Sequence, residues 1–594
     1  MDIDGKIASL REAMKQEGIS AYIIPSNDPH MSEYVSEHWK SRAYFSGFSG
    51  SAGTLVVTEQ TSGLWTDGRY YIQAIEQLSG SEISLFKIGE KSVPGYIEYL
   101  LQEVQPGSAV GLDGKLFSTV MVKSMEKFFK RKKIILKTHI DIIDEVWKDR
   151  PEQVLTPVYL HDQCFTGRSC KEKLAAVRVE LKKRHVDAYV LSELASIAWL
   201  LNIRASDIAF NPMAIAYAYI TMDKAYLCIE GSRLPIDVSM KLKAEGVEIK
   251  KYDEIENILK GINKPTKVFC CSHNLNYYLY GLLDKNLSVK ILEGEEIVID
   301  LKAVKNEVEI QNIRIAHIKD GCALVHFMVD FEKRMKNNEQ VTEYDLVDWL
   351  KVARKNQAHN MGESFASIIA YKENAAMMHY TPTSKQHKVI KKSGMLLIDS
   401  GGQYLEGTTD ITRTFALGNV TEEERRHYTL VLKAHIAMAK AIFMEGTTGG
   451  NLDILARAPI WAEGIDYKCG TGHGVGFFLG VHEGPQGLKM TNHIPIKEGM
   501  LITNEPGIYI EGKHGVRIES ILIAKTYKEN EYGKFYQFET VTYFPIDTTP
   551  IDLNLLTFEE KEWLNQYHAL VYERLSPFLS DEALQWLTVH TRPI

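Results

Sequence analysis

The pattern of apolar and polar positions repeats once in the N-terminal half of the chain. The segment KIASLREAMKQEGISAYII, from Lys6, aligns without a gap on KLAAVRVELKKRHVDAYVL, from Lys173. Each copy has apolar residues at helical spacing followed by a short apolar run typical of a buried strand. Chance similarity between two helix–strand pieces is the alternative, but the spacing from helix to strand is the same in both copies. We therefore interpret the first ~300 residues as two related α/β units.

The pattern changes at two further places along the chain. Residues 148–167 carry two prolines and little periodicity, which predicts a linker between the two units. Near residue 304, the run VKNEVEIQNIRIAHIKDGCALVHFMVDF has helical spacing and predicts one long helix that opens a third domain. The predicted division of the chain is 1–150, 151–303, 304–544 and a C-terminal extension at 545–594.

Within the third domain, two helix starts are marked by capping boxes. In each box a threonine is followed three residues later by an acidic residue, so that the side chains can bond free amides at the helix start. The two boxes are Thr342 with Asp345 and Thr421 with Glu424.

Strand-like segments of the third domain carry acidic residues among apolar ones. GMLLIDSGG contains Asp399 and GTTDITRTFAL contains Asp410, and the intervening GGQYLEG predicts a glycine-bearing turn. A loop this short favours antiparallel pairing, which would bring the two carboxylates side by side. The same layout recurs in GMLITNEPGIYI with Glu505 and GVRIESILIA with Glu519.

A carboxylate on half-buried surface is costly unless it is paired. An arginine such as Arg413 or Arg517 could pair one of the four acids, but not all of them. A pair of divalent cations would resolve the repulsion, because bridging carboxylates hold two ions about 3.5–4 Å apart. An oxygen-rich ligand set with one imidazole suits Mn²⁺, Co²⁺ or Zn²⁺.

The candidate imidazole lies in CGTGHGVGFFLGVHEGP, a glycine-rich stretch that contains His473 and His482. Glycine costs about 0.5–1 kcal/mol each against alanine in a regular element, so a cluster of glycines indicates a close backbone approach. We predict that His473 is the nitrogen ligand. An ordinary glycine-rich turn with two surface histidines is the alternative.

Taken in order, LLIDSGG, TTDITRTF, GTGHGVG, ITNEPGIY and VRIES resemble the pita-bread metallopeptidases. The N-terminal RAYFSGFSGSAGTLVVT and LWTDGRYY, together with the length of the chain, resemble the long, three-domain Xaa-Pro aminopeptidases of that superfamily. The resemblance implies an α/β and α+β multidomain fold. It would consist of two creatinase-like N-terminal domains followed by a pita-bread catalytic domain and a C-terminal extension.

The resemblance also implies a role for each site residue. Asp399 would bind one metal, His473 and Glu505 the other, and Asp410 and Glu519 would bridge both, with a hydroxide between the ions as nucleophile. Glu505 is also the candidate proton shuttle. The implied substrate-side residues are His379, in MMHYTP, and His482, in VHEGP, with Arg413 as a further candidate.

These roles have alternatives in the residues themselves. Without the resemblance, His379 and His482 could be ordinary structural histidines, and Arg413 could serve only to neutralise a nearby acid. The resemblance implies that most members of the family have histidine at the position of Cys469, so we interpret this residue as a neutral wall of the substrate pocket, neither nucleophile nor ligand.

The implied cofactors are two divalent ions, with Mn²⁺ expected and Zn²⁺ or Co²⁺ possible. The implied partners are peptides with proline in the second position and a second copy of the chain in a homodimer. A prolidase-like dipeptidase, a metal-free creatinase-like enzyme and a non-catalytic binding protein that kept the fold are the alternative functions.

Composition and sequence pattern limit the possible partners and the cellular location of the protein. The formal net charge of -8 and the lack of a basic stripe argue against nucleic-acid or anionic-membrane partners. No apolar run approaches the ~18 residues that span a bilayer, and no signal-peptide pattern opens the chain. The seven cysteines are scattered without a CxxC pair, which is typical of reduced thiols and predicts a cytoplasmic protein.

Overall fold

The computed structural model describes residues 1–594, which fall into two units. The first unit contains Met1–His161 and Arg168–Val298, and the second contains Asp162–Gly167 and Ile299–Ile594. Both units mix helices with sheets, so the predicted multidomain α/β and α+β class is confirmed.

The first unit is built on two six-stranded sheets. In spatial order, the strands of the first sheet are Ser84–Lys87, Ser62–Thr66, Thr54–Thr58, Ala21–Ile24, Ala109–Gly111 and Ile135–Lys137. Those of the second sheet are Val247–Lys250, Ala225–Cys228, Tyr217–Thr221, Ala188–Leu191, Thr266–Cys270 and Val289–Glu293. In both sheets, read in this order, the successive strand pairs are parallel, antiparallel, antiparallel, parallel and parallel.

The sequence repeat coincides with this structural repeat. Helix Ile3–Gln16 precedes strand Ala21–Ile24, and helix Cys170–Lys183 precedes strand Ala188–Leu191, with every bound displaced by 167 residues. Matching bounds and strand order support the interpretation of a duplicated α/β unit. The longer helices on these sheets include Tyr71–Leu78, Tyr96–Glu103, Thr119–Lys132, Leu194–Leu201, Ile236–Ala244, Glu254–Lys260 and Tyr277–Asp284.

The predicted linker at 148–167 is more ordered than its composition indicated. Tyr159–Leu160 pairs antiparallel with Ile203–Arg204, and Gln163–Thr166 forms one helical turn that belongs to the second unit. Asn306 bonds the carbonyl oxygen of Thr166, which attaches this turn to the start of the long helix. Tertiary contacts therefore order a segment that has little periodicity of its own.

The helices of the second unit begin where the sequence predicted. The long helix runs over Glu307–Lys336, and the capping boxes at Thr342 and Thr421 start helices Glu343–Lys355 and Glu422–Ala439. All three predictions are confirmed. The remaining α-helices of this unit include Gly449–Trp461, Phe558–Leu575 and Asp581–His590.

The strands of the second unit form several small sheets around an apolar core. The principal two, in spatial order, are Ile368–Tyr371, Met395–Ser400 and Ile411–Ala416, and then Ile442–Met444, Gly533–Thr540, Ser520–Asn530 and Leu501–Asn504. Gly507–Ile510 pairs with His514–Arg517, and Gly472–His473 pairs with Gly487–Leu488. Leu564, Val571 and Trp586 are part of the same core, so the C-terminal helices pack as part of this unit.

One predicted turn is a strand pair in the structure. Within GGQYLEG, Gly402–Tyr404 pairs with Gly407–Thr408 and also with Asn360–Glu363, giving a three-stranded sheet. The predicted glycine-bearing turn is therefore shorter than expected, since Leu405 and Glu406 form the turn and the residues on either side of it form strands. None of the helices combines the length and the apolarity needed to cross a bilayer.

Candidate active site

The four acids predicted from the strand pattern lie at the ends of paired strands of the second unit. Strands Met395–Ser400 and Ile411–Ala416 are antiparallel, as predicted, with Asp399 opposite Thr412 and Asp410 directly before the second strand. Strands Leu501–Asn504 and Ser520–Asn530 are also antiparallel, and Glu505 and Glu519 directly flank their last pair. Asp399, Asp410 and Glu519 are buried, and Glu505 is half-buried.

His473 lies among these carboxylates. Its Nε2 atom is 3.5 Å from Oδ2 of Asp410 and 3.4 Å from Oε1 of Glu505, and Nδ1 is 2.9 Å from the carbonyl oxygen of Gly474. A proton on Nδ1 satisfies that carbonyl, and Nε2 faces the acids. Ligand atoms of Asp410, His473 and Glu519 all lie within 4.8 Å of one another, as a metal site requires.

The glycines around His473 serve close backbone packing. A Cβ at Gly472 would overlap the carbonyl oxygen of Thr503, and one at Gly474 would overlap that of Glu483. The amide of His473 also donates to Oγ1 of Thr503, at 3.0 Å. The glycine cluster thus lets the histidine strand approach the strand that leads to Glu505.

The pKa values show how strongly the acids interact. Burial raises the pKa of Asp399 to about 6, with the opposing effect of Arg517 and a further rise from Asp410. Burial, followed by the charges of Asp410 and Glu505, raises the pKa of Glu519 well above its usual range. Burial alone would lower the pKa of His473, but the hydrogen bond to Asp410 and the charge of Glu505 raise it to about 9. All three groups therefore bind protons more readily than usual, which means that positive charge added to the cluster is stabilised.

One atom indicates where that charge belongs. Oδ1 of Asp399 is buried and has no hydrogen-bond partner, while Oδ2 accepts a hydrogen bond from Arg517. A buried, unpartnered carboxylate oxygen is costly unless it binds a cation. Four carboxylates and one imidazole whose Nε2 faces them therefore fit a site for hard or borderline divalent ions.

Sequence reasoning gave Arg517 only as a possible partner of one acid, but the structure makes it the centre of a network. Its Nε donates to Oγ1 of Thr412 at 3.1 Å, and Thr412 in turn donates to Oε2 of Glu519 at 2.7 Å. A second guanidinium nitrogen donates to the hydroxyl of Tyr509 at 2.7 Å. Such partners orient metal ligands. Strand alternation could have revealed Arg517, because it lies two residues before Glu519.

The two candidate substrate-side histidines lie in different surroundings. The rings of His482 and His473 meet edge to face with centroids 4.3 Å apart, and His482 is exposed. His379 is half-buried and follows Met378, whose carbonyl oxygen accepts a hydrogen bond from Arg517 at 3.4 Å. His482 therefore borders the group of acids around His473, and the backbone next to His379 contacts Arg517; the substrate-side roles of both histidines stay predictions.

Arg413 has a structural environment rather than a substrate-facing one. It is 2% exposed, and it donates to the carbonyl oxygens of Thr412, Glu519, Phe544 and Pro545 and to the Tyr567 hydroxyl. These bonds use the five N–H groups of a guanidinium. The predicted substrate contact of Arg413 is therefore corrected, because the side chain joins the catalytic strands to the C-terminal segment.

A buried charge cluster next to His482 was missed by sequence reasoning. Oε1 of Glu483 is 2.7 Å from Nζ of Lys305, and Oε2 is 3.0 Å from Nζ of Lys302, with all three side chains almost fully buried. The sequence contains no local signal for this contact, because the partners are separated by about 180 residues.

Cys469 is half-buried at the edge of the apolar core. Its carbonyl oxygen accepts a hydrogen bond from Arg457 at 2.7 Å. The group of ligand atoms formed by Asp410, His473 and Glu519 does not include its thiol. These surroundings agree with a wall position, which stays a prediction.

The fold and this cluster define a metallohydrolase of the pita-bread class. The model of metallopeptidase family M24 matches residues 311–526, and a model of its C-terminal region matches 534–594. Models of the creatinase/prolidase N-terminal domain match residues 6–146 and 149–309. The two N-terminal matches coincide with the two six-stranded sheets.

Relatives extend the likeness to the full chain. A probable Xaa-Pro aminopeptidase P of Laccaria bicolor is 38% identical over 99% of this chain and 93% of its own, and aminopeptidase P2 of Arabidopsis thaliana is 36% identical over 100% and 89%. The crystal structure of an X-prolyl aminopeptidase from Caenorhabditis elegans, a cytosolic enzyme with a di-nuclear active site, superposes with a TM-score of 0.96. It is 33% identical and covers 100% of both chains.

A prolidase from Pyrococcus horikoshii is more distant. It matches with a TM-score of 0.51 and 25% identity, and covers 63% of this chain. The chain thus belongs to the Xaa-Pro aminopeptidase P family of M24 metallopeptidases.

Proposed function

We propose that the chain hydrolyses the peptide bond between an N-terminal residue and a proline in the second position. The observation that carries this proposal is the cluster of Asp410, His473 and Glu519, flanked by Asp399 and Glu505. Full-length similarity to aminopeptidase P supports it over a prolidase, whose fold corresponds to only part of the chain.

Each residue of the cluster has a role in this reaction. In this proposal Asp399 would hold one divalent ion, His473 and Glu505 would hold the other, and Asp410 and Glu519 would be ligands of both. When bound, such ions activate a water molecule and polarise the scissile carbonyl. Glu505, which is half-buried and accepts a hydrogen bond from Thr503 at 3.1 Å, carries the proton from the water to the leaving amine.

The histidines at the edge of the cluster act on the substrate. His482 borders the metal ligand His473 and donates to the oxygen that gains charge in the transition state. His379 contacts the substrate on the side of Arg517. Proline lacks an amide hydrogen and has a fixed φ, so a site shaped for its ring selects peptides that general aminopeptidases process poorly.

The oxygen-rich ligand set supports Mn²⁺ as the bound ion, with Co²⁺ and Zn²⁺ as substitutes. Similarity to the C. elegans enzyme, which is described as cytosolic, supports a cytoplasmic location. We also propose that the chain forms a homodimer and that its domains end at residues 150, 303 and 544.

Hydrolysis of three matched peptides tests it. The purified chain, loaded with Mn²⁺, should cleave Arg-Pro-Pro at the first bond, leave Arg-Ala-Pro largely uncut and cleave the dipeptide Arg-Pro slowly. Chelation should abolish the activity, and added Mn²⁺ should restore it. Preference for the dipeptide would instead indicate a prolidase, and metal binding without hydrolysis would indicate a non-catalytic protein.

A further inference from the structure

The carboxylate of Glu343 is a buried acceptor for one long segment of irregular backbone. Glu343 is the first residue of helix Glu343–Lys355, and it is 0% exposed. Its partners all belong to the segment 371–388, which contains only one short 3₁₀ helix, Lys372–Ala376. A long irregular segment loses much conformational entropy when it is ordered, so its fixed points determine its conformation.

The hydrogen bonds to Glu343 come from four positions spread along that segment. Oε1 accepts from the amide of Tyr371 at 2.6 Å, and Oε2 accepts from the amide of Lys388 at 2.7 Å. The side-chain amide of Asn374 bonds both oxygens, at 3.0 and 3.1 Å, and the hydroxyl of Tyr380 bonds Oε2 at 2.8 Å. The donors therefore lie on both sides of His379 in the chain.

The opposite side of the segment rests on the strand that carries Arg517. Arg517 donates to the carbonyl oxygen of Met378 at 3.4 Å. A Cβ at Gly515 would overlap the carbonyl oxygen of Ala375, so this strand and the segment are in backbone contact. His379 lies between Met378 and Tyr380, each of which is fixed from a different side.

We propose that Glu343 is a positioning residue for hydrolysis, because its carboxylate holds the segment 371–388 in the conformation that places His379 at the metal cluster. The inference rests on the substrate-side role of His379 in the proposed function. Buried carboxylates that accept several hydrogen bonds fix geometry well, because removing the charge leaves donors unpaired. A shift of about 1 Å in a catalytic group can cost on the order of 10²-fold in rate.

Two variants separate this role from general stability. Glu343→Gln keeps the side-chain volume but replaces an acceptor by a donor, and should lower kcat/KM by about 30–100-fold. Tyr380→Phe removes one donor beside His379 and keeps the ring, and should lower kcat/KM by about 5–10-fold. Both variants should retain two metal ions per chain, and the loss should fall mainly on kcat.

Glu373→Gln is the matched control. Glu373 lies in the same segment but is exposed, and its ion pair is with the side chain of Lys388. The same change of chemistry there should leave kcat/KM within about twofold.

A double-mutant cycle with His379→Ala is decisive. If Glu343 acts through His379, then Glu343→Gln and Tyr380→Phe should change kcat/KM by less than about threefold once His379 is absent. Equal losses with and without His379, or full activity of both variants, would overturn the positioning role. If Glu343→Gln does not fold, the double-mutant cycle of Tyr380→Phe with His379→Ala alone tests the positioning role. Failure of the unmodified chain to cleave the peptide would instead overturn the proposed function, and this inference with it.

Discussion

Arg517 donates a hydrogen bond to Oδ2 of Asp399, and Oδ1 of the same carboxylate is buried without a partner. The guanidinium therefore compensates one oxygen and orients the other toward the cluster. Because Arg517 also bonds Thr412, which bonds Glu519, one side chain orients ligands on two different strands. In the proposed metal site, the ligand geometry would depend on this network as well as on the ligands themselves.

Replacement of Arg517 should weaken metal binding without removing a ligand. We expect Arg517→Gln to reduce metal affinity by about 10–100-fold, which is typical for loss of a partner that orients ligands. Calorimetric titration of the metal-free variant with Mn²⁺ measures the effect. The exposed Arg426 provides a matched control, Arg426→Gln, since its carboxylate partner Glu463 lies on the surface. An unchanged Mn²⁺ affinity in Arg517→Gln would contradict the network.

Asp410 provides the most demanding test of the cluster, because the proposed function makes this carboxylate a ligand of both ions. Asp410→Asn should lose metal and lower kcat by at least about 10³-fold. Metal analysis by mass spectrometry, together with peptide hydrolysis, provides both readouts. Asp348→Asn, at an exposed position of helix Glu343–Lys355, is the control. A variant of Asp410 that retains two ions and near-normal turnover would show that the ligand assignment is wrong.

The sequence predicted the parts of this site that depend on local pattern. Acids within apolar strands gave Asp399 and Asp410, and their antiparallel strands followed from the short intervening segment. What it could not predict depends on contacts between distant segments. Apart from its bond to the neighbouring Thr412, Arg413 donates to residues more than 100 positions away, and Gly402–Tyr404 pairs with the distant strand Asn360–Glu363 as well as with Gly407–Thr408. The local sequence does not determine which distant segments will contact each other.

Metal removal should make the stability of the protein fall as the pH rises. Without metal, the folded-state pKa of Asp399 is raised to about 6 and that of His473 to about 9, each above its ordinary value. The folded chain therefore binds more protons than the unfolded chain between about pH 4 and 9, and its stability decreases as these protons leave. Bound cations replace the protons and remove this dependence.

Thermal unfolding measures the difference directly. The Tm gap between Mn²⁺-loaded and chelator-treated protein should widen by at least about 5 °C from pH 5 to pH 8.5. Effects of pH on the rest of the chain cancel in this difference. A gap that stays constant or narrows as the pH rises would mean that the carboxylates and His473 are not competing with metal for the same charge.

His482 should contribute to the transition state rather than to metal binding. We expect His482→Ala to keep both ions and to lower kcat by about 10²–10³-fold, as loss of an oxyanion donor does. His493→Ala is the control, since His493 is an exposed histidine eleven positions further along the chain. If KM rises while kcat is unchanged, His482 only binds substrate.

Cys469 tests how the pocket differs from the pattern expected of this family. The charge of Cys469 contributes to the raised pKa of Tyr509, and Tyr509 accepts a hydrogen bond from Arg517, whereas the thiol is outside the ligand group. We expect Cys469→Ala to keep two ions per chain and to lower kcat/KM by less than about tenfold, or ~1.4 kcal/mol of transition-state stabilisation. The exposed Cys164→Ala is the control for thiol loss. Loss of a metal ion, or a decrease as deep as that of Asp410→Asn, would place the thiol in the catalytic set, because a wall residue contributes packing alone.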